Sequence, residues 1–316
     1  MNISVVITTF NGSKTIEKAL NSLIQQEVNS RLLYEIIVVD NNSTDNTAEL
    51  VRKMIKSYPD KNISLIKECK QGPVHGRHTG LLKSKYEIIL FLDDDMIAMS
   101  NYIESYSNLF KSDQKLGLAG AKIRVPESYE EPKYMNTIKS VLAINETFDF
   151  KNYFVPSMQA IRKEAYMFLY NNGFEQKLLF RKDNKYKYAR GQDIEFSLAL
   201  RYTPYHCGFN KDTYLIHDFG TERLKIENII DLKQQVGYAL AIIAPYKYVF
   251  KSSKKTSYYY YLIRSTLSLL KVVFKENRKI NLNEKYWILR TLILTKKDYQ
   301  DLEKEIYNAK WNVLDL

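Results

Sequence analysis

The first hundred residues alternate short apolar runs with amphipathic stretches, and that order leaves few folds open. Stacked strand-helix units with a mainly parallel sheet require it. Ile3-Ser4-Val5-Val6-Ile7-Thr8-Thr9 reads as a buried strand. Asn11-Gly12-Ser13 then turns the chain into a helix over about 14–26, capped by Ser13, with Ile16, Leu20, Leu23 and Ile24 inward. Tyr34 to Val39 forms a second strand that delivers Asp40 at its carboxyl end, and a helix with Ala48, Val51 and Ile55 inward follows. Ile63 to Ile66 makes a third strand. Gly72-Pro73 opens the next helix, with proline in the first turn, where no amide hydrogen is needed. The fourth strand, Tyr86 to Leu92, runs straight into Asp93-Asp94-Asp95.

In an open sheet of this kind ligands bind beyond the carboxyl ends of the strands, because loops and helix N-termini converge there on one crevice. Asn11, Asp40 and the three aspartates all fall at such ends. From about Leu116 the pattern is mixed, with strands expected at 118–123, 154–161 and 213–217 and a helix after Gly191. Beyond about Thr221 the chain reads as helical near 226–245, 256–276, 283–294 and 297–309. The expected organisation is a catalytic domain over 1–220, with a nucleotide half to about 115 and an acceptor half over 116–220. A mostly helical region over 221–316 follows, associating with a membrane or a partner.

Composition narrows the partners. The 316 residues carry a formal charge of +11, which attracts polyanions: nucleic acid, anionic headgroups or diphosphate-bearing substrates. Cys69 and Cys207 are the only cysteines, too few for a disulfide scaffold and without the paired spacing of a zinc site, so a reducing cytosol is the natural setting. The apolar run at Ile3 follows no basic stretch or small-residue cleavage pattern, so secretion is not expected. Its longest apolar stretch, 258–274, is interrupted by Arg264 and Lys271, so no transmembrane segment is expected.

Three adjacent carboxylates repel one another unless a positive group sits among them. A hard divalent cation is the natural neutraliser, because Mn²⁺ and Mg²⁺ take one or two carboxylates plus phosphate oxygens. For an isolated triplet a solvated acidic turn would serve as well; its place at the end of a strand in this array favours the cation.

Four motifs in order carry a resemblance to the family-2 glycosyltransferases. They are Val5 to Asn11, Ile37 to Asp45, Gly72-Pro73 through Arg77 to Gly80, and Phe91-Leu92-Asp93-Asp94-Asp95. The resemblance implies the GT-A fold, an α/β architecture with a Rossmann-like, mainly parallel sheet flanked by helices. It also implies transfer of a sugar from a nucleotide-sugar, with UDP favoured, to an acceptor hydroxyl, with inversion. Thr9 and Asp40 match the positions that hold the base, and Arg77 lies where its motif approaches the nucleotide. Asn11, Asp93 and Asp94 complete the nucleotide set, and Asp95 matches the metal ligand for Mn²⁺ or Mg²⁺. The residues by themselves also admit plainer readings: a strand-end hydroxyl at Thr9, a helix-capping Asp40 and a solvated helix arginine at Arg77.

Gly191-Gln192-Asp193-Ile194-Glu195 resembles the family's Gly-Glu-Asp motif, with Gln192 in place of the first acid. The match makes Asp193 the catalytic base. Glu195 is expected to pair with Arg190 or Arg201. His217 ends a strand where related enzymes sometimes place a histidine near metal or diphosphate, although a lone histidine is more often structural. His75 and His78 flank Arg77 and read as helix-surface residues. Lys233 to Tyr238 lacks the arginine and tryptophan of the processive members' motif, which points to single-sugar transfer.

The acceptor is expected to be a glycan or a lipid-diphosphate-linked saccharide of bacterial surface-polysaccharide or glycan assembly. The C-terminal lysines interleave with tyrosines and phenylalanines, so docking on an anionic membrane and plain solvation of a helical subdomain stand open together. The enzyme is thus read as cytoplasmic, or peripheral on the inner face of the membrane. The competing readings are an inactive scaffold of the same fold, prompted by Gln192, and a sugar nucleotidyltransferase, for which Asn11-Gly12-Ser13-Lys14 is too thin a phosphate loop. A nucleic-acid binder is also weighed and set aside, because the basic residues lie mainly outside the motifs.

Overall fold

In a computed structural model of the chain, the residues described are 1–144, 160–178, 191–248, 257–272 and 278–308. The strand-helix array of the N-terminal third is present. β1 (Ile3–Thr9) leads to α1 (Ile16–Ile24), β2 (Tyr34–Asp40) to α2 (Thr47–Ser57), and β3 (Ile63–Lys67) to α3 (Pro73–Lys83). β4 (Ile88–Asp93) turns through Asp94 and Asp95 into β5 (Met96–Ala98), and α4 (Tyr102–Ser112) and β6 (Leu116–Arg124) follow. After α5 (Met135–Ile138) come β7 (Ala160–Arg162), α6 (Lys163–Asn171), α7 (Gln192–Leu200) and β8 (His206–His217). The C-terminal helices are α8 (Ile226–Ile242), α9 (Ala244–Tyr248), α10 (Ser257–Val272), α11 (Arg278–Leu294) and α12 (Lys296–Asn308).

The strands lie in one sheet in the order β3-β2-β1-β4-β7-β6-β8-β5. β1, β2, β3 and β4 are mutually parallel, and their register sets Thr9 beside Asp40 and Thr8 beside Asp93. β7 pairs antiparallel with both β4 and β6, and β5 antiparallel with β8, so that Met96 faces His217. The central strands are buried on both faces, as their unbroken apolar runs demand.

The described residues gather into two compact units. The first is Met1–Tyr129, Ile144–Met167 and Tyr205–Phe219, which holds the whole sheet; the second is Glu130–Ala143, Phe168–Pro204 and Gly220–Leu316. In the first unit, α3 lies close against β1 because Gly76 meets the Thr8 methyl and Gly80 meets Val6. Arg162 is buried, and its guanidinium donates to the carbonyls of Leu116, Phe110 and Asp113, which neutralises the carboxyl end of α4.

Several local expectations are corrected. α1 begins at Ile16 after Thr15, and the Ser13 amide donates to Asp45 Oδ2 (3.2 Å), so Ser13 is not a cap. In α2 the buried positions are Thr47, Val51 and Met54, while Ala48 and Ile55 are only half-buried. β5 and α4 occupy a stretch to which the sequence reading assigns no element. Of the strand expected at 154–161 only the last two residues lie among those described. Among the described residues no helix is long and apolar enough to cross a membrane.

Candidate active site

Three parallel strands end side by side in Thr9, Asp40 and Asp93, and the candidate site is built on that edge. Thr9 is buried, and its hydroxyl donates to Asp94 Oδ2 (2.5 Å). Gly12 passes so close to this pair that a β-carbon there would collide with both the Thr9 hydroxyl and the Asp94 carboxylate. Burial pushes the Asp94 carboxyl up to about 6; the Thr9 hydrogen bond opposes the shift, and the charges of Asp95 and Asp93 add to it. Arg77 is not a solvated helix arginine: its side chain is largely buried and donates to Asp93 Oδ1 at 2.8 Å.

Asp40 is buried, and its Oδ1 accepts the Ser43 amide (3.0 Å), which closes the turn after β2. α2 starts only at Thr47, so Asp40 is not its cap. Asn11 has a left-handed backbone (φ 53), which an asparagine tolerates, and its Oδ1 accepts the amide of Thr44 (2.8 Å). The Asn11 amide in turn donates to Ser43 Oγ (3.0 Å), so the loops after β1 and β2 are tied together.

His217 is buried with Nε2 3.4 Å from Asp95 Oδ2, and its ring packs edge-on to Phe219. The Asp218 amide donates to the Asp95 carbonyl (2.8 Å), while the Asp218 carboxylate accepts Lys18 Nζ (2.7 Å) and the Tyr129 hydroxyl (2.8 Å). Asp95 and His217 are therefore held as neighbours. Among the described residues no three His, Cys, Asp or Glu side chains close into a full metal-ligand set. Two adjacent donors beside crowded carboxylates nevertheless fit a cation that takes its remaining ligands from phosphate and water.

The sequence reading missed Asn41. It is buried; its amide nitrogen donates to the carbonyls of Lys70 (2.6 Å) and Glu68 (3.3 Å), and its Oδ1 accepts the Gly72 amide (2.7 Å). That clasp fixes the loop leading into α3 beside Asp40. Nothing in Asn41-Asn42 distinguishes the buried clasp from its exposed neighbour, which takes a left-handed backbone (φ 68). His78 departs from the helix-surface expectation: it is half-buried, with Nδ1 2.9 Å from the Tyr166 hydroxyl. A recess of about 420 Å³ between α2 and β3 shares only Asp40 with this cluster.

The first unit thus brings together Thr9, Asn11, Asp40, Arg77, Asp93, Asp94, Asp95 and His217. Asp193 belongs to the second unit, in the first turn of α7, where Gly191 supplies the left-handed entry (φ 99). The hydrogen bonds that hold Glu195 come from backbone amides. It is fully buried, and its two oxygens accept the amides of Lys177 (2.7 Å) and Leu178 (2.9 Å). Burial raises its carboxyl to about 7 against the pull of those amides and the Lys177 charge. Arg190 lies outside the described residues.

Comparison with known proteins gives this arrangement a context. The family described as Glycosyl transferase family 2 matches residues 4–169. The Haloferax volcanii protein named Glycosyltransferase AglE is 35% identical over 102 residues, covering 32% of this chain and 33% of that protein. A Campylobacter jejuni protein, GalNAc(5)-diNAcBac-PP-undecaprenol beta-1,3-glucosyltransferase, is 33% identical over 116 residues, covering 34% and 37%. The matched stretch therefore spans about a third of the length of each of these relatives. The crystal structure of S. aureus TarS 1-349 in complex with UDP-GlcNAc superposes with a TM-score of 0.52 at 16% identity, covering 97% of this chain and 92% of that one. At that identity the likeness is one of fold.

Proposed function

The chain belongs to glycosyl transferase family 2, and we propose on that premise that it moves a single sugar from a nucleotide-sugar, UDP-linked by preference, to an acceptor hydroxyl. The observation that carries the reading is the convergence of Thr9, Asp40, Arg77 and the three aspartates on one strand-end edge. Asp40 accepts a ring N–H of the base from its buried position, and Thr9 and Asn11 shape the wall beside it. Asp93 and Asp94 meet the ribose and nucleotide, while Arg77 offsets their charge. Asp95 and His217 would hold a divalent cation, Mn²⁺ or Mg²⁺. When bound, that ion supplies Lewis-acid stabilisation of charge on the departing diphosphate.

Asp193 is the base. A first-turn position on α7 favours its ionised form. As the acceptor oxygen bonds to the anomeric carbon, its proton passes to the Asp193 carboxylate; the bond from that carbon to the diphosphate oxygen breaks on the opposite side and leaves its electron pair with the nucleotide. The configuration inverts. TarS, whose fold is similar, has been crystallised with UDP-GlcNAc, which supports a UDP-sugar as the first donor to try. The name of the Campylobacter relative supports an acceptor carried on a lipid diphosphate. The work is placed on the cytoplasmic face of a membrane, with 1–220 as the catalytic part and 221–316 as the associating part, and no role with nucleic acid is assigned.

The test is UDP release from UDP-GlcNAc and other UDP-sugars, with Mn²⁺ and simple saccharide acceptors. Asp193→Asn should lower turnover by roughly 10²–10⁴-fold and leave UDP binding intact. Undiminished turnover in that variant would remove Asp193 from the mechanism. Because Gln192 replaces the family's acid, an inactive scaffold is the second reading; UDP binding with no turnover of any donor by the wild-type protein would favour it.

A further inference from the structure

α10 presents two different faces. Tyr258, Tyr261, Ser265 and Val272 are buried, and the two tyrosines pack in a cluster with Ala241, Ala244, Ile288, Leu292 and Tyr299. The opposite face carries Tyr260, Ile263, Leu267 and Leu270, exposed by 52%, 62%, 53% and 58%. Their spacing places all four in one stripe along the helix. Arg264 and Lys271 are exposed along one flank of that stripe. On the other flank stands the exposed Tyr259, whose hydroxyl is met by Lys296 Nζ of α12 at 2.9 Å. α10 contains no aspartate or glutamate.

We propose that this face seats α10 in the headgroup layer of an anionic bilayer, parallel to its surface. Charge selects that occupant. Cations on both flanks of an apolar, tyrosine-bearing stripe match a surface with anionic headgroups above acyl chains. A second copy packed about a twofold axis would bring the same cations face to face, with no carboxylate on the helix to offset them. Sixteen residues of helix extend about 24 Å, too short to cross a bilayer, so α10 lies on the membrane. The contact deepens the reading of a lipid-linked acceptor, and its test does not depend on catalysis.

The test is co-sedimentation of the full chain with vesicles of phosphatidylcholine, with and without phosphatidylglycerol, alongside UDP titration and an unfolding midpoint for each variant. Wild-type protein should bind the phosphatidylglycerol vesicles and be released by salt. Arg264→Glu with Lys271→Glu should weaken that binding by roughly thirtyfold or more. Ile263→Asp with Leu267→Asp should weaken it by at least about tenfold even at low salt. Both double variants should keep the wild-type unfolding midpoint and the wild-type response to UDP. Absence of vesicle binding, equal binding to both vesicle types, or indifference to both variants overturns the proposal. A wild-type oligomer that ignores vesicles and dissociates in the Ile263→Asp, Leu267→Asp variant assigns the face to a second copy and overturns it too. Vesicle binding as described together with no UDP response leaves this contact standing and removes the donor site instead.

Discussion

A single methyl group added at Gly12 would fall on both the Thr9 hydroxyl and the Asp94 carboxylate, whose hydrogen bond lies at the edge proposed to bind the donor. Gly12→Ala should therefore weaken UDP binding by about tenfold or more, the worth of one charged hydrogen bond, as read by calorimetry. Glu195 makes a prediction of the opposite kind, since it acts on stability. Its folded carboxyl sits near 7, above its ordinary 4.5, because burial disfavours the charge. The folded state then keeps a proton that the unfolded chain releases. The contribution of this group to stability is full below about pH 4.5, falls by roughly a few kcal/mol as pH rises to about 7, and levels off above that. Denaturant unfolding across that range should show the slope in wild-type protein and lose it in Glu195→Gln. At this scale the sequence was partly legible. The acidic triplet and Asp40 announce themselves by ending apolar runs, whereas the Thr9–Asp94 bond joins residues 85 apart, and local pattern carries no trace of it.

The elements that fix the strand-end edge are the ones whose sequence signal is strongest. β1, β2 and β4 are apolar on both faces, and their carboxyl ends were placed to within a residue or two. α3 leans on β1 through two glycines, and Gly76→Ala and Gly80→Ala should each cost about 1–3 kcal/mol, because the added methyl meets Thr8 or Val6 in a packed layer. Thermal unfolding of the two single variants would measure it; unchanged midpoints would mean that the layer yields more freely than its packing suggests. Where element boundaries differ from the local pattern, a distant partner intervenes. The Ser13 amide is taken by Asp45, 32 residues away, which displaces the start of α1. β8 runs from His206, well before the expected 213, because residues poor in strand propensity, such as Gly208 and Asn210, pair with β6.

At the scale of the whole molecule, the division into units follows contacts that no stretch of sequence reveals. Each unit is assembled from three separated segments, and α7, with Asp193 and Glu195, belongs to the unit that holds the C-terminal helices. That assembly explains why the strand-end edge is legible from motifs in the first third, while the environment of α7 is not. The buried Glu195 holds the segment at Lys177 and Leu178 through backbone amides, a contact without side-chain signature at either residue. The proposed activity requires the strand-end edge to bind a nucleotide together with a cation at Asp95 and His217. The most direct test is a calorimetric titration of UDP into the full chain with Mn²⁺, with EDTA, and in Asp95→Ala. Saturable UDP binding with Mn²⁺ that EDTA abolishes and that Asp95→Ala lacks is the predicted result. Binding of equal strength under all three conditions, or in none of them, would contradict it.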